Sequence, residues 1–284
     1  PVFSTLRAPV CADTIRNPPL ETITMAYETL LTDRDGAAFI IILNRPKRRN
    51  AFSIELMREL GAACLAAEAD EAVRAVIVTG GTEYFSAGAD LNEAMQIKSA
   101  RDGVAYMKYW ETLNGTVETL AKPVIAAIEG FCMTGGWEFA MACDIRVASE
   151  TATFALTSSR IGTVPGAGGT QRLPREVGVG KALEILFAAE PIDAREAHRI
   201  GAVNRLVAAG EALGEAKAMV RTYEKRAPLS LAFAKRAVRA GTQMDLASAI
   251  EFERFLVTAI YGTQDKNEGI GAFLEKREPH FKGR

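Results

Sequence analysis

Three short apolar runs separated by long helical stretches constrain the fold of this chain more than any other feature. They cover residues 39–43, 75–79 and 124–128, and each is followed by residues that end a strand, Asn-Arg-Pro, Gly-Gly or a nearby glycine. Apolar runs of this length without polar alternation are typical of strands buried on both faces. Strands that alternate with helices predict an α/β core.

The remaining pattern adds helices to this core. Ser53 is placed to cap a helix whose apolar side contains Leu56, Leu60, Cys64 and Leu65. Further short strands are expected at 145–148 and 152–155, and from about residue 175 the pattern is almost wholly helical. Because no low-complexity linker separates this helical part from the rest, we expect it to dock on the core or on a neighbouring subunit.

Composition excludes several classes of protein. The 284 residues are 48% hydrophobic, which is enough for a sizeable core, and the net charge of -1 offers no global basic field for nucleic acid or an anionic membrane. No apolar run reaches the roughly 20 residues that span a bilayer. The first 20 or so residues have neither a secretory apolar block nor an Arg-rich amphipathic pattern, so we expect an extended arm and a cytoplasmic location.

Cysteine and histidine usage further restricts the chemistry. The four cysteines have no close C-x-x-C spacing, which favours reduced thiols. The two histidines, His198 and His280, are far from every glycine-rich segment. A Ser-His-Asp triad, a His-ligated metal site and a metal cofactor are therefore not expected.

Two segments at predicted strand ends, residues 85–91 and 134–138, combine small residues with a following helix. Small residues let a ligand approach the main chain, and the N–H groups at a helix start have no partner within the helix. Two such donors could form an oxyanion hole that stabilises an enolate oxygen. The alternative is that the glycines of both segments belong to plain turns.

Glu138 is the last residue of the second segment and lies between Trp137 and Phe139. An apolar environment would raise the pKa of its carboxyl group and suit it to general acid or base catalysis, although a buried, salt-bridged structural carboxylate is the alternative. The loop at residues 165–169 resembles a phosphate loop superficially, but no Lys-Ser/Thr follows it, which favours tight packing at a helix start. Tyr106, Tyr109 and Trp110 are interpreted as core residues or as the lining of an acyl pocket.

Taken together, these segments resemble the crotonase (enoyl-CoA hydratase/isomerase) family from about residue 26 to the end of the chain. The matching segments are residues 43–46 (LNRP), 50–51 (NA), 86–91 (SAGADL), 122–127 (KPVIAA), 135–144 (GGWEFAMACD), 162–173 (GTVPGAGGTQRL) and 268–277 (EGIGAFLEKR).

The resemblance implies a spiral of ββα units with a helical trimerisation region. It divides the chain into an extended arm (1–22), a spiral core (23–215) and a C-terminal helical oligomerisation region (216–284). It further implies a homotrimer or homohexamer that acts on acyl-CoA in fatty acid metabolism, with coenzyme A as part of the substrate and no separate cofactor.

Site residues follow from the same resemblance. Oxyanion-hole amides fall at Ala89 and Gly135, and Glu138 takes the place of the glutamate that positions and activates water. The coenzyme A contacts implied by the resemblance are Ala87, Asp90 and Leu91 near the adenine, Lys47, Arg48 or Arg49 at the phosphates, and Phe273 and Lys276 from the tail of a neighbouring subunit.

One departure from the family pattern concerns the second catalytic glutamate of hydratases. Its position, four residues after Phe154, is occupied here by Ser158, and the usual Pro-Glu pair reads Thr157-Ser158. A neutral hydroxyl cannot supply the proton that the second acid gives to the α-carbon. Smaller departures are Thr134, where a third glycine is common, and the bulky Trp137.

The leading hypothesis is therefore reversible hydration of a 2-enoyl-CoA, with Glu138 as the main acid/base and Ser158 holding a water. Enoyl-CoA isomerisation or acyl-CoA hydrolysis by a single carboxylate is the alternative within the same family. A protein that binds acyl-CoA but is catalytically weak is the alternative from another class.

Overall fold

The computed structural model describes residues 27–284, and the predicted arm at residues 1–22 lies outside them. The strands are β1 (Leu30–Asp35), β2 (Ala38–Leu43), β3 (Ala75–Thr79), β4 (Tyr84–Ser86), β5 (Val124–Ile128), β6 (Phe131–Met133), β7 (Ile145–Ser149), β8 (Thr153–Ala155), β9 (Ile192–Asp193) and β10 (Arg205–Val207). The helices are α1 (Ile54–Ala69), α2 (Leu91–Ala94), α3 (Ala100–Thr119), α4 (Gly135–Ala142), α5 (Gly169–Val177), α6 (Val179–Ala188), α7 (Ala194–Arg199), α8 (Ala212–Glu224), α9 (Pro228–Gly241), α10 (Leu246–Tyr261) and α11 (Gln264–Glu275).

The strands form two sheets that the chain visits alternately. The larger sheet has the order β1-β2-β3-β5-β7-β10 and is parallel except for the β1–β2 hairpin. The smaller sheet has the order β4-β6-β8-β9 and is parallel except for the β8–β9 pair. Each of β3, β5 and β7 passes directly into its partner in the smaller sheet, which produces a spiral of strand pairs. The predicted α/β core has this architecture, and β3 and β5 have the bounds that the sequence predicted.

Alternate residues of the central strands enter two different cores, because successive side chains of a strand point to opposite faces. Val76, Val78 and Ala126 face a core shared with α1, α3 and α4, whereas Ile77 and Ile125 face a second core covered by α8. Both faces of the central strands β3 and β5 are therefore buried, which explains the continuous apolar runs in the sequence.

Helix α1 begins where the sequence predicted. The Ser53 hydroxyl accepts a hydrogen bond from the Leu56 amide at 3.2 Å and caps the helix. Leu56, Leu60 and Cys64 are buried as expected, but the assignment of Leu65 to this side is wrong, since that side chain is 57% exposed. Leu65 lies about 100° around the helix from Cys64, which takes it off the buried stripe.

The C-terminal helices dock on the core through charged residues of α9. Arg239 and Lys235 both contact the Asp144 carboxylate, each at 2.8 Å, and Arg239 also donates to the Ala142 carbonyl. The predicted boundary after residue 215 falls inside α8, whose Ala216 and Val220 pack against the larger sheet. Helix α8 therefore packs as part of the core.

The described residues also bear on the expectations for cysteines, membrane-spanning helices and metal sites. Cys64, Cys132 and Cys143 are buried free thiols, and burial raises the pKa of Cys64 to about 12. Within residues 27–284 no helix is long and apolar enough to cross a membrane. The same stretch contains no cluster of three or more His, Cys, Asp or Glu side chains arranged for a metal ion.

Candidate active site

The first wall of the candidate site is the loop between β4 and α2. The Ser86 hydroxyl donates to the Asn50 carbonyl at 2.7 Å and accepts from the Gly88 amide. Phe52 donates to the Gly88 carbonyl and accepts from the Asp90 amide. These contacts secure the residues on both sides of Ala89, whose own amide donates no hydrogen bond to any residue that the structure describes.

The second wall is the start of α4. Gly135 is the first helical residue, and its amide likewise has no acceptor within residues 27–284. The two amides lie close together, because a Cβ placed on Gly135 would be 3.1 Å from the Ala89 nitrogen and 2.8 Å from Cη2 of Trp110. A side chain at position 135 would therefore occupy the space beside the Ala89 amide.

Glu138 lies one helical turn beyond Gly135 and is 2% exposed. Its Oε1 accepts hydrogen bonds from the amides of Ala167 and Gly169, each at 2.8 Å. The described residues offer no hydrogen bond to Oε2, which leaves this oxygen for a water or a substrate proton. No ion pair involves Glu138 in the described part of the chain, so the salt-bridged structural role does not apply.

Burial raises the pKa of the Glu138 carboxyl group above its ordinary value. The hydrogen bonds from Gly169 and Ala167 and the charge of Arg172 oppose this effect but are weaker. A carboxyl group whose pKa is shifted toward neutrality can accept and return a proton readily, as a general acid or base requires.

The loop at residues 165–169 has a role that sequence reasoning missed. The interpretation as packing at a helix start is correct, since α5 begins at Gly169, but two amides of the loop also hold Glu138. The Ala167 carbonyl accepts from Asn114 Nδ2 and Arg172 Nη1, each at 2.8 Å, which secures the loop. The available signal was the glycine at position 169, where a Cβ would lie 3.0 Å from Oε1 of Glu138.

Ser158 begins a short 3-10 helix, Ser158–Ile161, and its side chain is 3% exposed. The hydroxyl group makes no hydrogen bond with the residues that the structure describes. The hydroxyl group of its neighbour Thr157 forms a hydrogen bond with the hydroxyl group of Thr134, the residue before Gly135, with the two oxygens 2.9 Å apart. The segment that carries Ser158 is thus joined directly to the segment that carries the acceptor-free Gly135 amide.

Trp110 of α3 borders the same space, and Tyr106 and Tyr109 pack against the core. Trp110 is buried against Phe52, with ring centroids 5.1 Å apart, and its ring edge faces Gly135. Tyr106 and Tyr109 are half-buried, and the Tyr106 hydroxyl is buried without a hydrogen-bond partner in the described part of the chain. Trp110 therefore serves both the core and the wall of the site.

The predicted coenzyme A residues near the N-terminus lie beside the first wall. Lys47, Arg48 and Arg49 are exposed on and just after a 3-10 turn, and the Arg49 carbonyl accepts from the Ala87 amide at 2.9 Å. This bond brings the basic turn next to the Ala89 loop. Leu91 is 54% exposed.

Asp90 is buried and has a structural role. Its carboxylate pairs with Arg45 at 2.9 Å and caps α2 through the Asn92 amide. Burial raises the pKa of this carboxyl group, but the bonds from Arg45 and Asn92 outweigh that effect and lower the pKa overall. The Asp90 carboxylate is therefore already bonded to Arg45 and to the start of α2.

The predicted tail residues lie on α11 and at its end. Phe273 is 82% exposed, and Lys276 is exposed at the C-cap. The Lys276 ammonium group makes no hydrogen bond with the residues that the structure describes.

The fold and this site define a class of α/β protein in which two acceptor-free amides lie close together and a buried glutamate follows one of them by a helical turn. A family model described as enoyl-CoA hydratase/isomerase matches residues 33–284. The chain is 43% identical over 265 residues to a probable enoyl-CoA hydratase of Rhizobium meliloti (strain 1021), covering 92% of this chain and 100% of the relative. It is 39% identical over 258 residues to a crotonyl-CoA hydratase of Syntrophomonas wolfei, covering 90% and 99%.

A solved structure of an enoyl-CoA hydratase from Bacillus anthracis superimposes on this fold with a TM-score of 0.86. The two chains are 35% identical, and the match covers 90% of this chain and 100% of the other. The chain belongs to the enoyl-CoA hydratase/isomerase, or crotonase, family. The predicted family and fold class are thereby confirmed.

Proposed function

We propose that the protein catalyses the reversible hydration of a 2-enoyl-CoA thioester. The observation that carries this proposal is the pair of acceptor-free amides, Ala89 and Gly135, with the buried Glu138 one helical turn beyond Gly135 on α4. A thioester oxygen bound by both amides would be stabilised as negative charge moves onto it. The Glu138 carboxylate would accept and return the proton as a general base and acid.

Within this proposal, Glu138 acts through Oε2, because Oε1 is occupied by two backbone amides. The carboxylate removes a proton from water, the oxygen of that water bonds to the β-carbon, and electrons move onto the thioester oxygen. The resulting enolate takes a proton at its α-carbon, and the thioester carbonyl re-forms. With Ser158 in place of the second acid, the proton for the α-carbon is the one that Glu138 accepted.

A single carboxylate also suits two other reactions, and neutral Ser158 is the observation that favours them. Isomerisation of an enoyl-CoA needs one base that removes and returns a proton. Hydrolysis of an acyl-CoA needs one base that activates water for attack on the thioester carbon. Both reactions would use the same amides, so only product analysis separates them from hydration.

Substrate binding is assigned to two surfaces. Lys47, Arg48 and Arg49 offer positive charge for the phosphates of coenzyme A next to the Ala89 loop. Ala87, Asp90 and Leu91 would border the adenine. Phe273 and Lys276 would complete this site in a neighbouring subunit. We expect no cofactor beyond the coenzyme A of the substrate, and we expect a cytoplasmic location.

A trimer or hexamer is part of the same proposal. Helices α9 to α11 expose large apolar side chains that a monomer would leave in water, a pattern that marks interaction surfaces. Those side chains are Val238 (65% exposed), Leu246 (76%), Phe255 (71%), Tyr261 (63%), Ile270 (51%), Phe273 (82%) and Leu274 (73%).

The test is an assay with crotonyl-CoA, longer and cyclic enoyl-CoA thioesters and saturated acyl-CoA, with products identified by mass spectrometry. We expect a product heavier by one water from an enoyl-CoA. Glu138→Gln should abolish turnover yet leave binding of coenzyme A thioesters nearly unchanged, since the amide can still accept from Ala167 and Gly169. Tight thioester binding with no turnover of any substrate would identify a binding protein instead.

A further inference from the structure

Thr134 has a backbone conformation that its side chain disfavours. Its φ is +43° and its ψ is -109°, a region that glycine enters freely and that a β-branched residue enters only under strain. Thr134 directly precedes Gly135, so its conformation sets the direction of the Gly135 amide. A residue type that is costly at this position needs a compensating interaction.

Three hydrogen bonds supply that interaction. The Thr134 amide donates to the Ala155 carbonyl at 2.7 Å. The Thr134 hydroxyl oxygen accepts from the Thr157 amide at 3.1 Å and lies 2.9 Å from the Thr157 hydroxyl. Glycine could make the first of these bonds but not the other two, since both involve the threonine side chain.

The peptide group between Thr134 and Gly135 is held through its carbonyl and through the Thr134 side chain, whereas its N–H has no acceptor among the described residues. Its carbonyl accepts from the Glu138 amide at 2.8 Å, and its N–H belongs to Gly135. The bond between the hydroxyl groups of Thr134 and Thr157 fixes Thr134 to the segment that carries Ser158. Rotation of the peptide plane would break either the first bond of α4 or the link to Thr157.

We propose that Thr134 is a positioning residue that, together with Thr157, orients the Gly135 amide toward the substrate oxygen. This inference rests on the proposed oxyanion hole. It adds that Thr134 and Thr157 set the orientation of one of the two donors, the Gly135 amide. In this chain a strained threonine, held by two side-chain hydrogen bonds, stands where a glycine could adopt the same backbone conformation without strain. The two bonds also connect the proposed oxyanion hole to the segment of Ser158, the residue in place of the second acid.

The test compares four variants in crotonyl-CoA hydration. Thr134→Val removes both side-chain bonds at nearly constant shape, and Thr134→Gly removes them and also releases the backbone. Because misaligned donors lose much of their effect on a developing charge, we expect either variant to lower kcat about tenfold, with KM changed less than about threefold. Thr157→Val keeps one of the two bonds and should lower kcat about threefold. Thr134→Ser keeps both and should stay within about twofold of the parent.

A second readout does not depend on turnover. Cinnamoyl-CoA carries a conjugated carbonyl whose stretching frequency falls when hydrogen bonds polarise it. We expect this frequency in the bound state to move back toward its value in water for Thr134→Val and Thr134→Gly. The Thr134→Ser variant should retain the shift of the parent protein.

Thr151→Val is the matched control. Thr151 forms a similar hydroxyl pair with Ser149 at 2.8 Å, on the turn between β7 and β8 and away from the candidate hole. This variant should leave kcat and the carbonyl frequency unchanged. If Thr134→Val fails to fold, Thr157→Val tests the hydroxyl bond alone, for which an about threefold loss of kcat is expected.

Unchanged kcat and carbonyl frequency in the Thr134→Val and Thr157→Val variants would overturn the positioning role while leaving the hydratase proposal intact. If the parent protein hydrates no enoyl-CoA, the hydratase proposal fails, and the frequency of bound cinnamoyl-CoA still decides the role of Thr134. If the protein binds no thioester, both inferences are wrong.

Discussion

A methyl group at Gly135 tests the candidate oxyanion hole most directly. In Gly135→Ala, the new carbon would lie 3.1 Å from the Ala89 nitrogen. An oxygen that accepts a hydrogen bond from an amide lies at about 2.9–3.0 Å, so the methyl group and the thioester oxygen compete for the same space. Loss of one donor of this kind costs about 2.7–4 kcal/mol of transition-state stabilisation, or a factor of about 10²–10³ in kcat.

The substitution also affects stability, and the assay must separate the two effects. The same methyl carbon would lie 2.8 Å from Cη2 and 3.0 Å from Cζ2 of Trp110. Trp110 is buried against Phe52 and has little room to move, so overpacking should cost about 1–3 kcal/mol of unfolding free energy. Hydration of crotonyl-CoA is measured by the loss of absorbance of the conjugated thioester. The assay temperature is kept well below the melting temperature of the variant.

Gly61→Ala controls for the type of substitution. Gly61 lies inside α1, and a Cβ there would meet no atom within 4 Å. Removing a helical glycine should stabilise the protein by about 0.5–1 kcal/mol and leave kcat unchanged. Our reasoning is refuted if Gly135→Ala, folded at the assay temperature, keeps more than about a third of the parent kcat, since a lost donor costs far more.

The remaining predictions concern the acid/base groups. Ser158→Glu should raise hydratase activity on a short enoyl-CoA, measured as kcat/KM for crotonyl-CoA, because it restores a second acid; an unchanged or lower rate would show that the pocket serves other chemistry. Because burial raises the pKa of Glu138, its carboxylate should protonate at a higher pH than an ordinary glutamate, and kcat/KM should fall on the acid side from a pH above 4.5. A raised folded pKa makes ionised Glu138 destabilising, so Glu138→Gln should raise Tm at pH 7 to 8 and lose this advantage near pH 4, where the carboxyl group is protonated in both states. An equal Tm difference at both pH values would contradict the shift.

The sequence predicted the parts of the fold that depend on local chemistry. Strands β3 and β5 could be located because both of their faces are buried, which leaves a continuous apolar run in the sequence. The start of α1 could be located because a serine hydroxyl caps it. Leu65 was misplaced because one residue rotates the side chain off the buried stripe of that helix.

For the site, the sequence by itself determined the small residues around Ala89 and Gly135 and the acidic residue Glu138. Only the tertiary structure decided how they are held. The amides of Ala167 and Gly169 bind Glu138 from positions 29 and 31 residues away, and backbone donors leave no side-chain signature in a sequence. The Thr134–Thr157 link spans 23 residues and appears in the sequence only as two separate departures from the family pattern. Local patterns determine which elements form, whereas the spiral of strand pairs brings these distant groups together and sets their hydrogen bonds.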